Sequence, residues 1–143
     1  MNLSTSGKVT RVSNAVAAGQ ATTNCSSVDM KGFESVTFYL LVGAIDATGT
    51  VVMHAEQSED DSSFADLEST AVEYTASDDN KVAILEITKP RERYVRPVVI
   101  TATANGTIDG VIAVQTAAHE EPVTQSSSVV ASEQHLCPAE GTI

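Results

Sequence analysis

Between residues 35 and 117 the chain alternates apolar and polar side chains at period two, in short runs separated by turn-forming residues. That pattern suits half-buried strands and not amphipathic helices. Val36, Phe38, Leu40 and Val42 share one face of the first run, with Thr37, Tyr39 and Leu41 on the other. Asp46-Ala47-Thr48-Gly49 supplies turn chemistry, and a second run over 50–57 alternates Val51, Met53 and Ala55 with Val52, His54 and Glu56. These two runs are expected to form a hairpin. A short strand is expected over 71–74 and a clearer one over 82–88, which Pro90 ends. Two further runs, 93–103 and 107–117, flank Asn105-Gly106, a hairpin signal because both residues tolerate positive φ. Pro97 cannot donate to a ladder, which assigns its part of the first run to an edge or a bulge. Asp109-Gly110 offers a competing turn or bulge.

Strands of this kind joined by turn clusters, with neither heptads nor internal repeats, predict an all-β fold: a single antiparallel β-sandwich, jelly-roll-like in architecture. The expected core is Val36, Phe38, Leu40, Ile84, Leu85, Val98, Ile100, Ile112 and Val114. The chain divides into an N-terminal arm over 1–30, the sandwich over 31–118 and a C-terminal arm over 119–143. Within the first arm, residues 8–12 alternate as an edge strand would. Residues 15–21 are too short a stretch for a stable helix once Gly19 interrupts it, so the rest is expected to be extended or irregular. Both arms carry little core pattern and are expected to be mobile in a free monomer.

At 143 residues the chain is the size of one domain and buries enough surface to need no disulfide or metal staple. Apolar stretches such as 40–45 are far too short to cross a bilayer, and residues 1–8 lack an apolar signal segment, so an intracellular origin is expected. Cys25 and Cys137, far apart in sequence, are expected to be free thiols. The formal net charge of −11 opposes nucleic-acid phosphates and anionic membrane surfaces, and it suits high solubility or a basic patch on a protein partner.

Candidate sites are few. Glu59, Asp60, Asp61, Asp66 and Glu68 form an acidic cluster whose spacing does not match an EF-hand loop; it reads as a solvated turn anchored by Phe64 and Leu67, spaced for one helical turn. His135 and Cys137 lie close together, but a closed zinc site needs about four ligands. His54 and His119 are isolated in sequence, and no nucleophile is seen beside a base. The expectation is therefore no metal, no cofactor and no catalytic residue: a protein that is not an enzyme. The strongest candidate is the stretch 89–97, where Lys89, Arg91, Arg93 and Arg96 account for half of the 8 cations. Arg91, Arg93, Tyr94 and Arg96 are read as a protein interface, since Arg and Tyr are enriched at interface hot spots. Pairing of Arg93 and Arg96 with acidic neighbours on adjacent strands is the equal alternative.

The run Val36-Thr37-Phe38-Tyr39-Leu40-Leu41-Val42-Gly43, the segment 57–66, Arg93-Tyr94-Val95-Arg96-Pro97 and the ending over 133–142 occur in an order that resembles small structural proteins of tailed-bacteriophage heads. The chain looks most similar to capsid decoration, or cement, proteins over roughly 33–143. The resemblance implies a β-sandwich, made in the host bacterial cytoplasm, that binds as a dimer or trimer to the outer surface of a shell built by the major capsid protein of the same virion. A tail or head–tail junction component is the alternative.

Overall fold

The computed structural model describes residues 2–142. After a single helical turn, α1 (Leu3–Ser6), the chain is built almost wholly of strands: β1 (Lys8–Ser13), β2 (Val16–Gly19), β3 (Thr22–Asn24), β4 (Val28–Asp29), β5 (Phe33–Ile45), β6 (Thr50–Ser58), β7 (Ala65–Asp66), β8 (Val72–Thr75), β9 (Val82–Thr88), β10 (Tyr94–Ala102) and β11 (Gly106–Ala118). They form two antiparallel sheets. The first runs β1-β11-β5-β9, with β2 extending the β1 lane, and the second runs β3-β10-β6-β7, with β4 extending the β3 lane and β8 extending the β7 lane. The turn-separated alternation predicted an all-β sandwich, and its eight lanes, four to a sheet, follow the strand order of a jelly roll. Among the described residues no helix is long and apolar enough to cross a membrane.

The two expected hairpins are not hairpins. Gly49 N–H does donate to the Asp46 carbonyl at 2.8 Å, so the turn forms, but β5 and β6 lie in opposite sheets. β10 and β11 around Asn105-Gly106 are likewise in opposite sheets. Turn chemistry reverses the chain either way. Whether the reversed strand lands beside its predecessor or across the core from it depends on which edges are already occupied. β5 is flanked by β11 and β9, and β10 by β6 and the β3/β4 lane, all distant in sequence from the strand they flank.

The core fills from the facing sides of both sheets. Val36, Phe38 and Leu40 are wholly buried as expected, and Leu85 joins them at 9% exposure. Ile84, by contrast, is 58% exposed, because Ala83 and Leu85 own the inner face of β9 and adjacent strand positions point opposite ways. On β11 Val114 is buried at 8% as expected but lies outside the central cluster, Ile112 is only half-buried, and Val111 and Ala113 fill the cluster instead. A bulge is the cause. The β11–β5 register shifts between Ile108 and Gly110, and Gly110 adopts φ +152, so Ile108 points inward before the extra residue and odd-numbered positions point inward after it. Ile100 is half-buried, and Val98 is buried but outside the central cluster, where Val95 and Val99 serve instead.

Pro97 sits in an interior strand, opposite Ala55 of β6, and not at an edge. Its missing donor is accommodated by its other neighbour. The β3/β4 lane breaks between Asn24 and Val28, and only Cys25 N–H reaches across, donating to the Pro97 carbonyl at 3.1 Å.

The N-terminal segment is part of the sandwich. β1 does lie at a sheet edge, but β3 and β4 supply a whole lane of the opposite sheet, and Val12, Cys25, Val28 and Met30 are buried. Gln115 of β11, 1% exposed, donates from Nε2 to the Asp29 carbonyl at 2.7 Å and so joins this segment to the far sheet. The expectation of a mobile arm over 1–30 fails because its buried side chains are separated by polar and small residues that hide the pattern. Part of the C-terminal segment is also held. Gln125 accepts from Val9 N–H at 2.8 Å and donates to the Gly7 carbonyl at 2.6 Å, and Ser128 Oγ accepts from Arg11 N–H at 2.9 Å. Beyond it, Val130 and Leu136 are fully exposed.

Candidate interface at the Arg93 end of the sandwich

After β9 the chain turns through Lys89, whose φ is 51, and enters β10 at Tyr94. Antiparallel pairing then sets Tyr94 against Asp29 of β4, and Arg96 against Glu56 of β6. Arg93, beside that first pair, closes a bidentate bridge on Asp29, Nε to Oδ1 at 2.9 Å and Nη2 to Oδ2 at 2.7 Å, with its guanidinium 5.1 Å from the Tyr94 ring centre. The Arg93 hydrogen bonds, aided by Lys31 N–H, hold the Asp29 carboxyl below its ordinary 3.8, and Asp29 in turn raises the Arg93 guanidinium. Arg96 donates from Nε to Glu56 Oε2 at 2.6 Å and stacks 3.9 Å from the Phe64 ring centre. Phe64 therefore anchors the 59–71 connection as expected, though the residues after it run extended as β7 and make no helical turn.

Arg93 and Arg96 thus each pair with a carboxylate on a neighbouring strand, the alternative left open by the sequence. The four residues read together as an interface separate in space. Arg91 and Arg93 line an open groove of about 480 Å³ with Lys31, Phe33, Lys89 and Pro90. Tyr94 supports Arg93, and Arg96 lies farther along the outer face of its sheet, against Glu56. A second groove of about 490 Å³ shares Lys31 and Phe33 and adds Lys8 and His119. Lys8 and Lys31 were missed because they are remote from 89–93 in sequence; antiparallel pairing brings their strand ends to the same end of the sandwich.

The acidic cluster does not converge. Asp60 accepts from Ser58 Oγ at 2.9 Å, Ser62 N–H at 3.0 Å and Ser63 N–H at 2.8 Å, which holds its carboxyl well below the usual range. Asp61 accepts from Ser27 Oγ. Asp66 instead faces His54, Oδ1 to Nε2 at 3.0 Å. His119 faces Glu34 at 2.6 Å and His135 faces Glu133 at 2.9 Å. Cys25 is buried, which pushes its thiol up to about 11, and Cys137 is exposed; both are free thiols.

No protein-family model matches the chain, and no curated protein matches it. Solved structures do. The exported protein XepA of PBSX superposes with a TM-score of 0.57 at 14% identity, over 95% of this chain and 45% of XepA. This chain therefore spans less than half of XepA's length. At that identity the likeness is one of fold: a β-sandwich domain. The SPBc2 prophage-derived protein YomS superposes with a TM-score of 0.47 at 9% identity, over 78% of this chain and 95% of YomS.

Proposed function

We propose that this protein is a structural component of a bacteriophage particle that binds the outside of the capsid and reinforces it, in the manner of a decoration protein, and that it works by binding rather than by catalysis. One observation carries this reading. The jelly-roll sandwich superposes over almost its full length on part of a phage-derived protein, XepA, and five of its eight cations, Lys8, Lys31, Lys89, Arg91 and Arg93, lie at one end of an acidic molecule. Lys8, Lys31, Lys89 and Arg91 surround Phe33, with Glu34, Glu92 and Glu120 among them, and offer a contact surface with an apolar floor and a charged rim in which cations are enriched relative to the rest of this acidic chain, suited to a charged patch on a shell protein.

A second reading is favoured by the name of the structure that covers 95% of the chain: XepA is described as an exported protein, which suits a phage product acting away from the capsid. Electron microscopy of particles assembled with and without the chain separates the readings. Extra density over the outer shell supports decoration, density at one vertex or along the tail supports a junction or tail role, and unchanged particles refute both particle roles and favour the exported product. A Lys31→Glu, Arg91→Glu variant is expected to lose shell density while remaining folded.

A further inference from the structure

The outer face of the β3-β10-β6-β7 sheet carries a group of side chains that the contact surface does not use. His54 and Glu56 are two apart on β6 and so point to the same side, and Asp66 of β7 is the register partner of Glu56. His54 Nε2 lies 3.0 Å from Asp66 Oδ1 and 4.0 Å from Glu56 Oε1, and one ligand atom from each of the three falls within 4.8 Å of the others. We propose that His54, Glu56 and Asp66 form a binding site for a divalent transition-metal ion.

The donor set fits that class of ion. One imidazole nitrogen with two carboxylate oxygens suits zinc or manganese better than calcium, which takes six or more oxygens. Bonds of about 2.0–2.2 Å to a tetrahedral ion put donor atoms roughly 3.4 Å apart, so closing the site requires His54 and Asp66, now 3.0 Å apart, to open slightly, and Glu56, 4.0 Å from His54 and within 4.8 Å of Asp66, to move inward. Its donors are also held in place. Arg96 takes Glu56 Oε2, which leaves Oε1 toward His54, and Phe64 stacks on the Arg96 guanidinium and keeps it there. Hydrogen bonds of this kind to the far side of a ligating carboxylate orient it. The His54 and Glu56 side chains are only 18% and 16% exposed, so an ion there is partly shielded from water, while Asp66 at 75% leaves an entry path.

The consequence is local. Asp66 belongs to the 59–71 connection, which is tied to β6 by the Ser58–Asp60 hydrogen bonds at its start and, around Asp66 itself, by two register pairs of β7, Leu67 N–H to the Ala55 carbonyl and Ala55 N–H to Thr70 Oγ1. An ion shared by His54, Glu56 and Asp66 clips this connection to the sheet. Three protein ligands also leave at least one coordination position open, which water or a side chain of a bound partner can fill.

Isothermal titration of the full chain with zinc, with magnesium as the control ion, tests the site. One zinc ion per chain is expected at sub-millimolar concentration, magnesium is expected not to bind, and zinc is expected to slow proteolytic cutting within 59–71. His54→Ala and Asp66→Asn each remove that event. Both lie on the solvent face, and the second alters an exposed position, so one variant at least keeps the fold, which circular dichroism checks. A His135→Ala, Cys137→Ser variant controls for the imidazole and thiol of the tail and is expected to bind as the wild type does. Zinc binding that survives His54→Ala or Asp66→Asn, binding lost only in the tail variant, or no binding by the wild type overturns the proposal.

Discussion

Deleting residues 1–30 is expected to unfold the protein. The deletion removes β1, β2, β3 and β4, and with them Val12, Val28 and Met30, which are 3%, 4% and 5% exposed. Full burial of such a side chain stabilises by about 1.5–3 kcal/mol, so the three together contribute roughly 5–9 kcal/mol. The deletion also takes away the Asp29 carbonyl that satisfies Gln115 Nε2, and a buried donor left unpaired costs about 1–3 kcal/mol more. Domains of this size are stable by about 5–15 kcal/mol in total, so the loss is comparable with the whole. The strand edges of β11 and β10 would be bared as well, which favours aggregation. Urea and thermal melts followed by far-ultraviolet circular dichroism, on chains lacking 1–30 and on chains ending at Val129, provide the measurement. The second truncation removes the fully exposed Val130 and Leu136 and is expected to stay within about 0.5 kcal/mol of the full chain. If the chain lacking 1–30 melts cooperatively within a few degrees of the full chain, the reasoning that makes this segment part of the core is wrong.

Neighbouring residues on β9 test the inner face. Leu85→Ala is expected to cost about 2–5 kcal/mol and Ile84→Ala under about 1 kcal/mol, read as urea midpoints at constant m-value, since the first is 9% exposed and the second 58%. Thiol labelling at mildly alkaline pH should show one fast and one slow cysteine. Cys137 is exposed and Cys25 is buried with its thiol raised to about 11, and a Cys137→Ser chain should therefore label only as fast as it opens. Acid should destabilise the fold through Asp29. Its folded carboxyl lies below the ordinary 3.8, mainly through the Arg93 hydrogen bonds, so the stabilisation is present above that value and is lost as pH falls through the lower folded one. Asp29→Asn is expected to flatten the acid limb of a melting-temperature profile, and an unchanged limb would contradict the bridge.

Much of this protein was legible without coordinates. Period-two alternation is a direct consequence of strand geometry, so the all-β class, β5, β6, β8 and β9, and the buried Val36, Phe38 and Leu40 follow from residue order alone. The charged stretch around Arg93 is likewise visible, because its residues are consecutive. What the residue order could not decide was anything that depends on a remote partner. A turn such as Asp46 to Gly49 reads the same whether it joins paired strands or spans two sheets, and edge occupancy settled it. The bulge at Gly110 moved the inward positions of β11 by one, a change that alternation cannot reveal without knowing where β5 sits. Arg96 finds Glu56, His54 finds Asp66, and Lys31 reaches the Arg91 groove only because antiparallel register aligns them. Side-chain periodicity is local, whereas pairing register is fixed by the packing of both sheets at once, so the sequence determined the strands and the tertiary structure decided which of their residues meet.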